Sequence, residues 1–130
     1  MLQVGNETLM PIRNYKDLQA WQVAMRLTKA AYVVSSGWPK AEQYGLTSQF
    51  RRAAVSVPSN IAEGYLRDTD REKSRFLSIT LGSLAEMETQ YLLAKSFDYI
   101  VGEQIDFEAL IAQTFQIVRG LKRSLKALDE

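Results

Sequence analysis

The sequence predicts an all-α protein, folded as an up-down-up-down antiparallel four-helix bundle. Apolar residues recur at three- and four-residue steps in four separate segments, which is the pattern of amphipathic helices. The connections are short enough to place consecutive helices side by side and antiparallel. No segment alternates apolar and polar residues as a half-buried strand does. In this chain of 130 residues, we expect one bundle domain over residues 14–128 and a poorly ordered leader over residues 1–13.

The first helix is predicted over residues 14–37. Asn14 is placed to cap its start, and Asp17 lies in its first turn, where acidic residues are favoured. Its apolar stripe comprises Leu18, Trp21, Met25, Thr28 and Tyr32. Gly37 is typical of a helix end, and we expect a short turn around residues 40–44 before the next helix begins.

The second helix is predicted to begin after Gly45, with Thr47 or Ser48 as its N-cap. One apolar stripe is expected to face the bundle core and comprises Leu46, Phe50, Ala53, Val57 and Ile61. A second apolar stripe lies about a third of a turn away and comprises Val55, Pro58, Ala62 and Leu66. Because a helix that is apolar on two sides needs two packing partners, we predict that the second stripe contacts another subunit.

Pro58 lies in the middle of this second helix. Proline lacks the backbone N–H and crowds the carbonyl of Ala54, which costs about 3 kcal/mol in an ordinary helix interior. Ser56, Ser59 and Asn60 can hydrogen-bond the freed backbone groups, and a kink lets a helix wrap across a neighbouring surface. The sequence therefore predicts a proline-kinked helix at a subunit contact. The alternative is that Pro58 starts a separate short helix, with Ser56 as its cap.

The third helix is predicted to begin at a capping box formed by Thr69 and Glu72 and to run to about Phe97. Its main apolar face comprises Phe76, Thr80, Ser83, Met87, Tyr91 and Ala94. A further stripe is made only of small residues, namely Ser78, Gly82, Ala85 and Thr89. Such a stripe would let another helix approach closely, but a polar exposed face with one glycine would give the same pattern.

The fourth helix is predicted after the loop around Gly102. Its apolar stripe comprises Ile111, Phe115, Val118, Leu121, Leu125 and Leu128. Its last turns carry four cations without an intervening acid, namely Arg119, Lys122, Arg123 and Lys126. Cations near a helix C-terminus complement the helix dipole, which explains them without any ligand, but the same cluster also suits a phosphate backbone.

The composition excludes several classes of catalytic site. The chain has no cysteine and no histidine, which removes thiol nucleophiles, disulfides, thiolate or imidazole metal ligands and Ser-His-Asp relays. Glu63, Glu86 and Glu88 are the remaining candidates for a metal-binding enzyme, but Glu86 and Glu88 lie two residues apart on a helix and point in different directions. We therefore expect no enzyme activity, no metal and no cofactor.

Charge and hydropathy also restrict the partners. A net charge of +1 confines any nucleic-acid role to local patches. The longest apolar run, residues 30–34, is far too short to span a bilayer, so we expect no membrane partner. The leader lacks the basic start, apolar core and cleavage site of a secretory signal, so we expect a cytoplasmic protein.

Three stretches carry a resemblance to a known family: YKDLQAWQVAMRL at 15–27, GLTSQFRRAAVSVPSNIAEGYLR at 45–67 and LGSLAEMETQYLLA at 81–94. They resemble the four helix bundle proteins of the ribosomal intervening-sequence family, some of which carry the label S23 ribosomal protein. The resemblance covers about residues 14–128. The positions that match the signature are Gln49, Arg52, Ala53, Ser56, Pro58, Asn60, Glu63 and Gly64.

The resemblance implies an assembly but no reaction. Members resemble proteins encoded inside intervening sequences of bacterial 23S rRNA genes, and many others are stand-alone cytosolic proteins. The family is also similar in fold to the accessory proteins of diversity-generating retroelements, which are pentameric and act with a reverse transcriptase and nucleic acid. A homopentamer is therefore implied here, and no catalytic residue is carried over.

The first function hypothesis is an oligomer that binds RNA or DNA through a local basic patch. Its possible contacts are Arg119, Lys122, Arg123, Lys126 and Arg51. A second basic group, Arg71, Lys73 and Arg75, is interleaved with acids and is therefore a weaker candidate.

The alternative hypothesis is an oligomeric scaffold or adaptor that binds a protein partner. Trp38 and Tyr44 lie in the long first connection, and aromatic residues on loops often mark such contacts. Packing of both rings over the end of the bundle is the favoured explanation of these two residues.

Overall fold

The computed structural model describes residues 12–102 and 106–129, with the backbone alone described for residues 126–129. Residues 1–11 of the predicted leader lie outside the described residues. Four helices are present: α1 (Gln19–Ser35), α2 (Leu46–Tyr65), α3 (Asp70–Ser96) and α4 (Phe107–Asp129). Two short 3-10 turns precede α1 and α2, at Tyr15–Asp17 and Lys40–Glu42, and the described residues contain no strand.

The four helices pack as a closed ring in which each helix contacts two neighbours. Helix α1 packs against α2 and α4, and α3 packs against the same two helices. Four side chains from different parts of the chain line one small cavity: Leu18 before α1, Ile61 late in α2, Leu77 early in α3 and Leu125 late in α4. Consecutive helices therefore run in opposite directions. The all-α four-helix bundle that the sequence predicts is confirmed.

The core comes mainly from the apolar stripes predicted on α2, α3 and α4. The most deeply buried residues of those stripes are Phe50, Val57, Ile61, Met87, Tyr91, Ile111, Val118 and Leu125. Leu46 and Phe115 are partly buried against them, while Leu128 lies outside the described side chains. Three-residue and four-residue spacing is therefore sufficient to locate the inward faces of these three helices.

The stripe predicted for the first helix is only partly a core face, since Leu18 is buried and Trp21 is partly buried against the core. Met25 and Tyr32 are 40% and 43% exposed, and the buried face comprises Ala20, Val23, Ala24, Leu27, Ala30 and Ala31. Alanines on this face let the backbone of α1 lie close to its neighbours, so burial selects the face with small side chains. The larger residues are displaced to the edge of the helix.

Two of the predicted helix starts also need correction. Asn14 caps the 3-10 turn before α1, and the α-helix begins only after Leu18. Gly45, not Thr47 or Ser48, is the N-cap of α2, because the carboxylate of Glu42 accepts the backbone N–H of Leu46 at 3.1 Å. The capping position predicted at the start of α3 is confirmed, since the Thr69 hydroxyl accepts the N–H of Glu72 at 3.1 Å.

Helix α2 runs without interruption through Pro58, so the alternative of a separate helix starting there is wrong. The missing N–H of Pro58 leaves the carbonyl of Ala54 without its intrahelical partner. Thr28 of α1 supplies a shared replacement, because its hydroxyl lies 3.0 Å from the Ala54 oxygen and 2.9 Å from the Ala24 oxygen of its own helix. A neighbouring helix thus compensates for the proline, and the kink itself stays a prediction.

Candidate nucleic-acid interface

The first part of the candidate interface is formed by the α4 cations, namely Arg119, Lys122, Arg123 and Lys126. Arg119 and Arg123 are exposed and Lys122 is half-buried, while the side chain of Lys126 lies outside the described residues. The guanidinium of Arg119 lies 4.8 Å from the ring centroid of Phe115, which holds it on the helix surface. Neither of the two ion pairs among the described residues involves an α4 cation. The charges of Arg119, Lys122 and Arg123 can therefore meet phosphate groups.

The start of α3 lies at the same end of the bundle as the α4 cations. Lys73 lines the small end cavity together with Leu121 and Leu125, and its ammonium donates a hydrogen bond to the carbonyl of Tyr65. Arg71 and Arg75 are exposed and form no ion pair among the described residues. The antiparallel topology thus places Lys73, at the start of α3, at the end of the bundle that carries the α4 cations. The positions of these residues along the sequence do not by themselves predict this proximity.

Arg51 does not belong to this group. Its Nε donates to the hydroxyl of Ser35 at 2.8 Å, and its Nη2 donates to the carbonyl of Tyr32 at 3.2 Å. Its guanidinium also lies 4.5 Å from the ring centroid of Tyr32. Arg51 therefore satisfies backbone and side-chain groups at the C-terminal end of α1, at the opposite end of the bundle from the α4 cations.

Four positions of the signature have packing or hydrogen-bonding roles in α2, and two of them, Ser56 and Gly64, lie against α3. Ala53 is buried, the Ser56 hydroxyl lies 2.6 Å from the Ser83 hydroxyl, and Asn60 donates to the carbonyl of Ser56 at 2.8 Å. At Gly64, an added Cβ would lie only 2.7 Å from the Cβ of Phe76. These residues let the two helices approach closely, so a structural role accounts for them.

The other four signature positions divide between burial and exposure. Pro58 is buried within its own chain, and Glu63 forms a 2.8 Å ion pair with Arg67 one turn later. Gln49 and Arg52 are exposed and have no partner among the described residues. Packing inside the protomer therefore explains Pro58 but gives no reason for Gln49 or Arg52.

An apolar seam follows the outer boundary between α1 and α2. It comprises Met25, Tyr32, Val55, Ala62 and Leu66, of which Val55 is 43% and Leu66 is 69% exposed. The contact of Thr28 with Ala54 sets an antiparallel register that places Met25 level with Pro58. Three of the four predicted oligomer contacts, Val55, Ala62 and Leu66, are thus accessible, and residues from α1 extend them into one band.

A groove of about 610 Å³ opens where α1 ends and α2 begins. We call it the Tyr44 groove; it shares Tyr32 and Val55 with the edge of the apolar seam, and its other lining residues are Gln43, Tyr44, Thr47, Ser48, Arg51, Arg52 and Ser56. The Tyr44 side chain is 91% exposed. Trp38, the other aromatic candidate in this connection, is 6% exposed and packs on Phe50 with ring centroids 4.8 Å apart. Of these two residues, only Tyr44 therefore offers a ring to a partner.

Glu42 and Tyr99 join the two loops at this end of the bundle. The hydroxyl of Tyr99 donates to the Glu42 carboxylate at 2.8 Å, while the second carboxylate oxygen accepts the N–H of Leu46. These two hydrogen bonds hold the pKa of Glu42 below its ordinary value, and the bond from Leu46 has the larger effect. The hydrogen bond that Tyr99 donates to Glu42 in turn raises the pKa of Tyr99. This clasp fixes the connection that carries Tyr44.

The described residues offer no cluster of three acidic side chains that could hold a metal ion. Glu86 and Glu88 are exposed, and Glu63 is engaged by Arg67. In the same part of the chain, every helix is too short or too polar to cross a membrane.

A family model described as "23S rRNA-intervening sequence protein" matches residues 16–123, which is most of the chain. No curated protein matches the sequence. The match spans all four helices and includes both the α4 cations up to Arg123 and the Tyr44 groove.

Proposed function

Since the chain belongs to the family of 23S rRNA-intervening sequence proteins, we propose that it is a non-enzymatic homo-oligomer that binds structured nucleic acid through the α4 cations. The observation that carries this proposal is the absence of any carboxylate partner for Arg119, Lys122 and Arg123 among the described residues. Unpaired surface cations release condensed counterions when they neutralise phosphates, which makes such a patch an effective sequence-independent contact.

The helix dipole offers a purely structural explanation of the same cations. A positive charge in the last turn of a helix contributes about 0.3–1 kcal/mol to stability. That explanation applies to the cations of α4 alone, yet Arg71 and Arg75 lie at the start of α3, where the dipole disfavours positive charge. Asp70 and Glu72 lie in the same first turn of α3, so the case for an anion-binding surface rests on the α4 cations themselves.

The oligomer is supported by the apolar seam between α1 and α2. Leu66 and Val55 are more exposed than aliphatic side chains on a folded monomer need to be, and Met25 and Ala62 extend the band. A second copy of the chain is the occupant that we propose, in the ring of five that the resemblance implies. Such a ring would present the α4 cations five times.

The assembly is tested by sedimentation of the purified protein beside the double variant Val55→Ser, Leu66→Ser. We expect the parent to sediment as a pentamer and the variant to dissociate. Val101→Ser is the matched control, because Val101 is 87% exposed and lies outside the seam. A monomeric parent, or a variant that keeps its assembly, would remove the seam from the interface.

The nucleic-acid site is tested by measuring binding of a structured RNA and of duplex DNA at two salt concentrations. The test variant replaces all four α4 cations by glutamine. The control variant replaces four other exposed cations, Arg13, Arg26, Lys29 and Lys40, so that both variants lose the same formal charge. We expect the test variant to bind more weakly, with the slope of log K against log salt flatter by roughly 0.9 for each phosphate that is no longer neutralised.

Two outcomes would contradict the proposed site. If the test and control variants lose affinity equally, the effect comes from net charge and not from the α4 surface. If the parent binds neither nucleic acid at low salt, the cations only stabilise the end of a helix.

A further inference from the structure

Tyr44 is the feature of the Tyr44 groove that packing leaves unexplained. At 91% exposure its ring contacts almost nothing in its own chain, although it lies in a connection that is clasped by the Glu42–Tyr99 hydrogen bond. An exposed aromatic ring on a clasped connection is suited to stacking, because its face is accessible.

The charges around Tyr44 have one sign. Arg51 and Arg52 line the groove, and none of its lining residues is acidic. The nearest acid along the chain, Glu42, is engaged by Leu46 and Tyr99. Arg51 uses two of its five N–H donors within the protein, and Arg52 has no partner among the described residues. Several cationic donors thus remain for an anionic ligand.

We propose that the Tyr44 groove binds an unpaired segment of nucleic acid, with one base stacked on the Tyr44 ring and neighbouring phosphates held by Arg52 and Arg51. This inference rests on the proposed function for the class of ligand, but not on the α4 cations. Aromatic rings interleaved with arginines are the usual means of holding single strands without sequence preference. A paired strand keeps its bases inside the helix and cannot offer one to the ring.

The lining of the groove favours nucleic acid over a protein partner. Protein hot spots are buried aromatic or arginine anchors in well-packed pockets that exclude water. Here the groove is open, and Val55 is its one aliphatic residue. Its volume of about 610 Å³ is that of a small-ligand site, so we expect it to hold a short segment of the strand.

The groove and the α4 cations form two separate sites. Tyr44 lies just before α2, whereas the residues of α2 that share a cavity with the end of α4 are Ile61, Gly64 and Tyr65. At about 1.5 Å of rise per residue, some 25 Å separates them along the helix axis. One nucleic acid with a paired stem and an unpaired tail could therefore occupy both.

The experiment measures fluorescence anisotropy of a short labelled oligoadenylate, beside an abasic oligomer of the same length that keeps the phosphates and lacks the bases. We expect Tyr44→Ala to weaken oligoadenylate binding about tenfold, because stacking of one base is removed. Tyr44→Phe keeps the ring face and should bind as the parent does. Phe97→Ala is the matched control, since Phe97 is another exposed aromatic residue at this end of the bundle.

A second pair of variants tests the phosphate contact. Arg52→Gln should weaken binding of oligoadenylate and of the abasic oligomer. It should also flatten the slope of log K against log salt by roughly 0.7. Arg26→Gln removes an exposed arginine without a partner among the described residues from another surface and should change neither value.

Several results would overturn the inference. The parent would bind the abasic oligomer as tightly as oligoadenylate, or Tyr44→Ala would bind like the parent, or neither oligomer would bind at low salt. If polyglutamate competes with the labelled oligoadenylate as well as unlabelled oligoadenylate does, the groove is a site for an acidic peptide. Altered sedimentation of Tyr44→Ala would assign it to a contact between copies.

The two proposals fail separately in this design. A fourfold α4 variant that no longer binds structured RNA and still binds oligoadenylate supports both sites. If that variant binds structured RNA as the parent does while Tyr44→Ala no longer binds oligoadenylate, the α4 site fails and the groove stands.

Discussion

The two ends of the bundle are stabilised by different side chains. At one end, the rings of Trp38, Phe50, Phe107 and Tyr91 form a continuous buried stack with centroids 4.8–5.6 Å apart. At the other end, which carries the α4 cations, Gly64, Tyr65, Lys73 and five aliphatic residues surround a cavity of about 20 Å³. The aromatic end thus holds the larger apolar side chains, while the cationic end depends on close helix approach.

The largest expected effect tests the aromatic end. Phe50→Ala removes a fully buried ring from the middle of the stack, so we expect the free energy of unfolding to fall by about 3–5 kcal/mol in urea titrations. Leu125→Ala at the cationic end is the comparison variant and should cost less, because the side chain that it removes is smaller. Equal costs would mean that the two ends contribute alike to stability.

The next effect tests close approach at the cationic end. Gly64→Ala places a Cβ at 2.7 Å from the Cβ of Phe76, so we expect a loss of about 1–3 kcal/mol despite the better helix propensity of alanine. Gly82→Ala is the matched control, since nothing lies within 4 Å of its added Cβ, and it should raise stability by up to about 1 kcal/mol. Stabilisation by both substitutions would show that α2 and α3 can separate without cost.

A smaller effect tests how α1 compensates for the proline. Thr28→Val removes the hydroxyl near the Ala54 carbonyl, and we expect a loss of about 1 kcal/mol in the free energy of unfolding. In a Pro58→Ala background the residue at position 58 regains its N–H, so the same change should cost less. Additive losses in this double-mutant cycle would mean that Thr28 and Pro58 act independently.

The smallest effect is a pH dependence of the Glu42–Tyr99 clasp. Because the pKa of Glu42 is lowered by folding, its contribution is fully present above its ordinary value of 4.5 and is lost as the pH falls through the lowered pKa. The pKa of Tyr99 is raised, so its contribution is present below the ordinary value of 10.0 and is lost as the pH rises through the raised pKa.

Thermal unfolding of the parent and of Glu42→Gln across the pH range checks this clasp. We expect the difference between the two proteins to be constant near neutrality and to shrink at both extremes. Glu88→Gln, at an exposed position, serves as the control. A parent–variant difference that does not change with pH would show that the clasp contributes no titratable stability.

The candidate sites are only partly predictable from sequence. The α4 cations are close in the chain, so one helical segment is enough to identify them. The position of Lys73 at the same end of the bundle, and the lining of the Tyr44 groove, come from contacts between different elements. Charge alone groups Arg51 with the α4 cations because it does not reveal position, whereas the hydrogen bonds of Arg51 to Ser35 and Tyr32 place it at the other end.

The sequence by itself determined the helical class, the four segments and the inward faces of α2, α3 and α4, because burial of an apolar stripe follows directly from helical periodicity. Only the tertiary structure decided the core face of α1, where alanines and larger apolar residues compete for burial. It also decided how Pro58 is tolerated, since the compensating hydroxyl of Thr28 belongs to another helix. Local patterns specify what one helix can do alone, whereas close packing and hydrogen bonding depend on which atoms of a neighbour lie opposite.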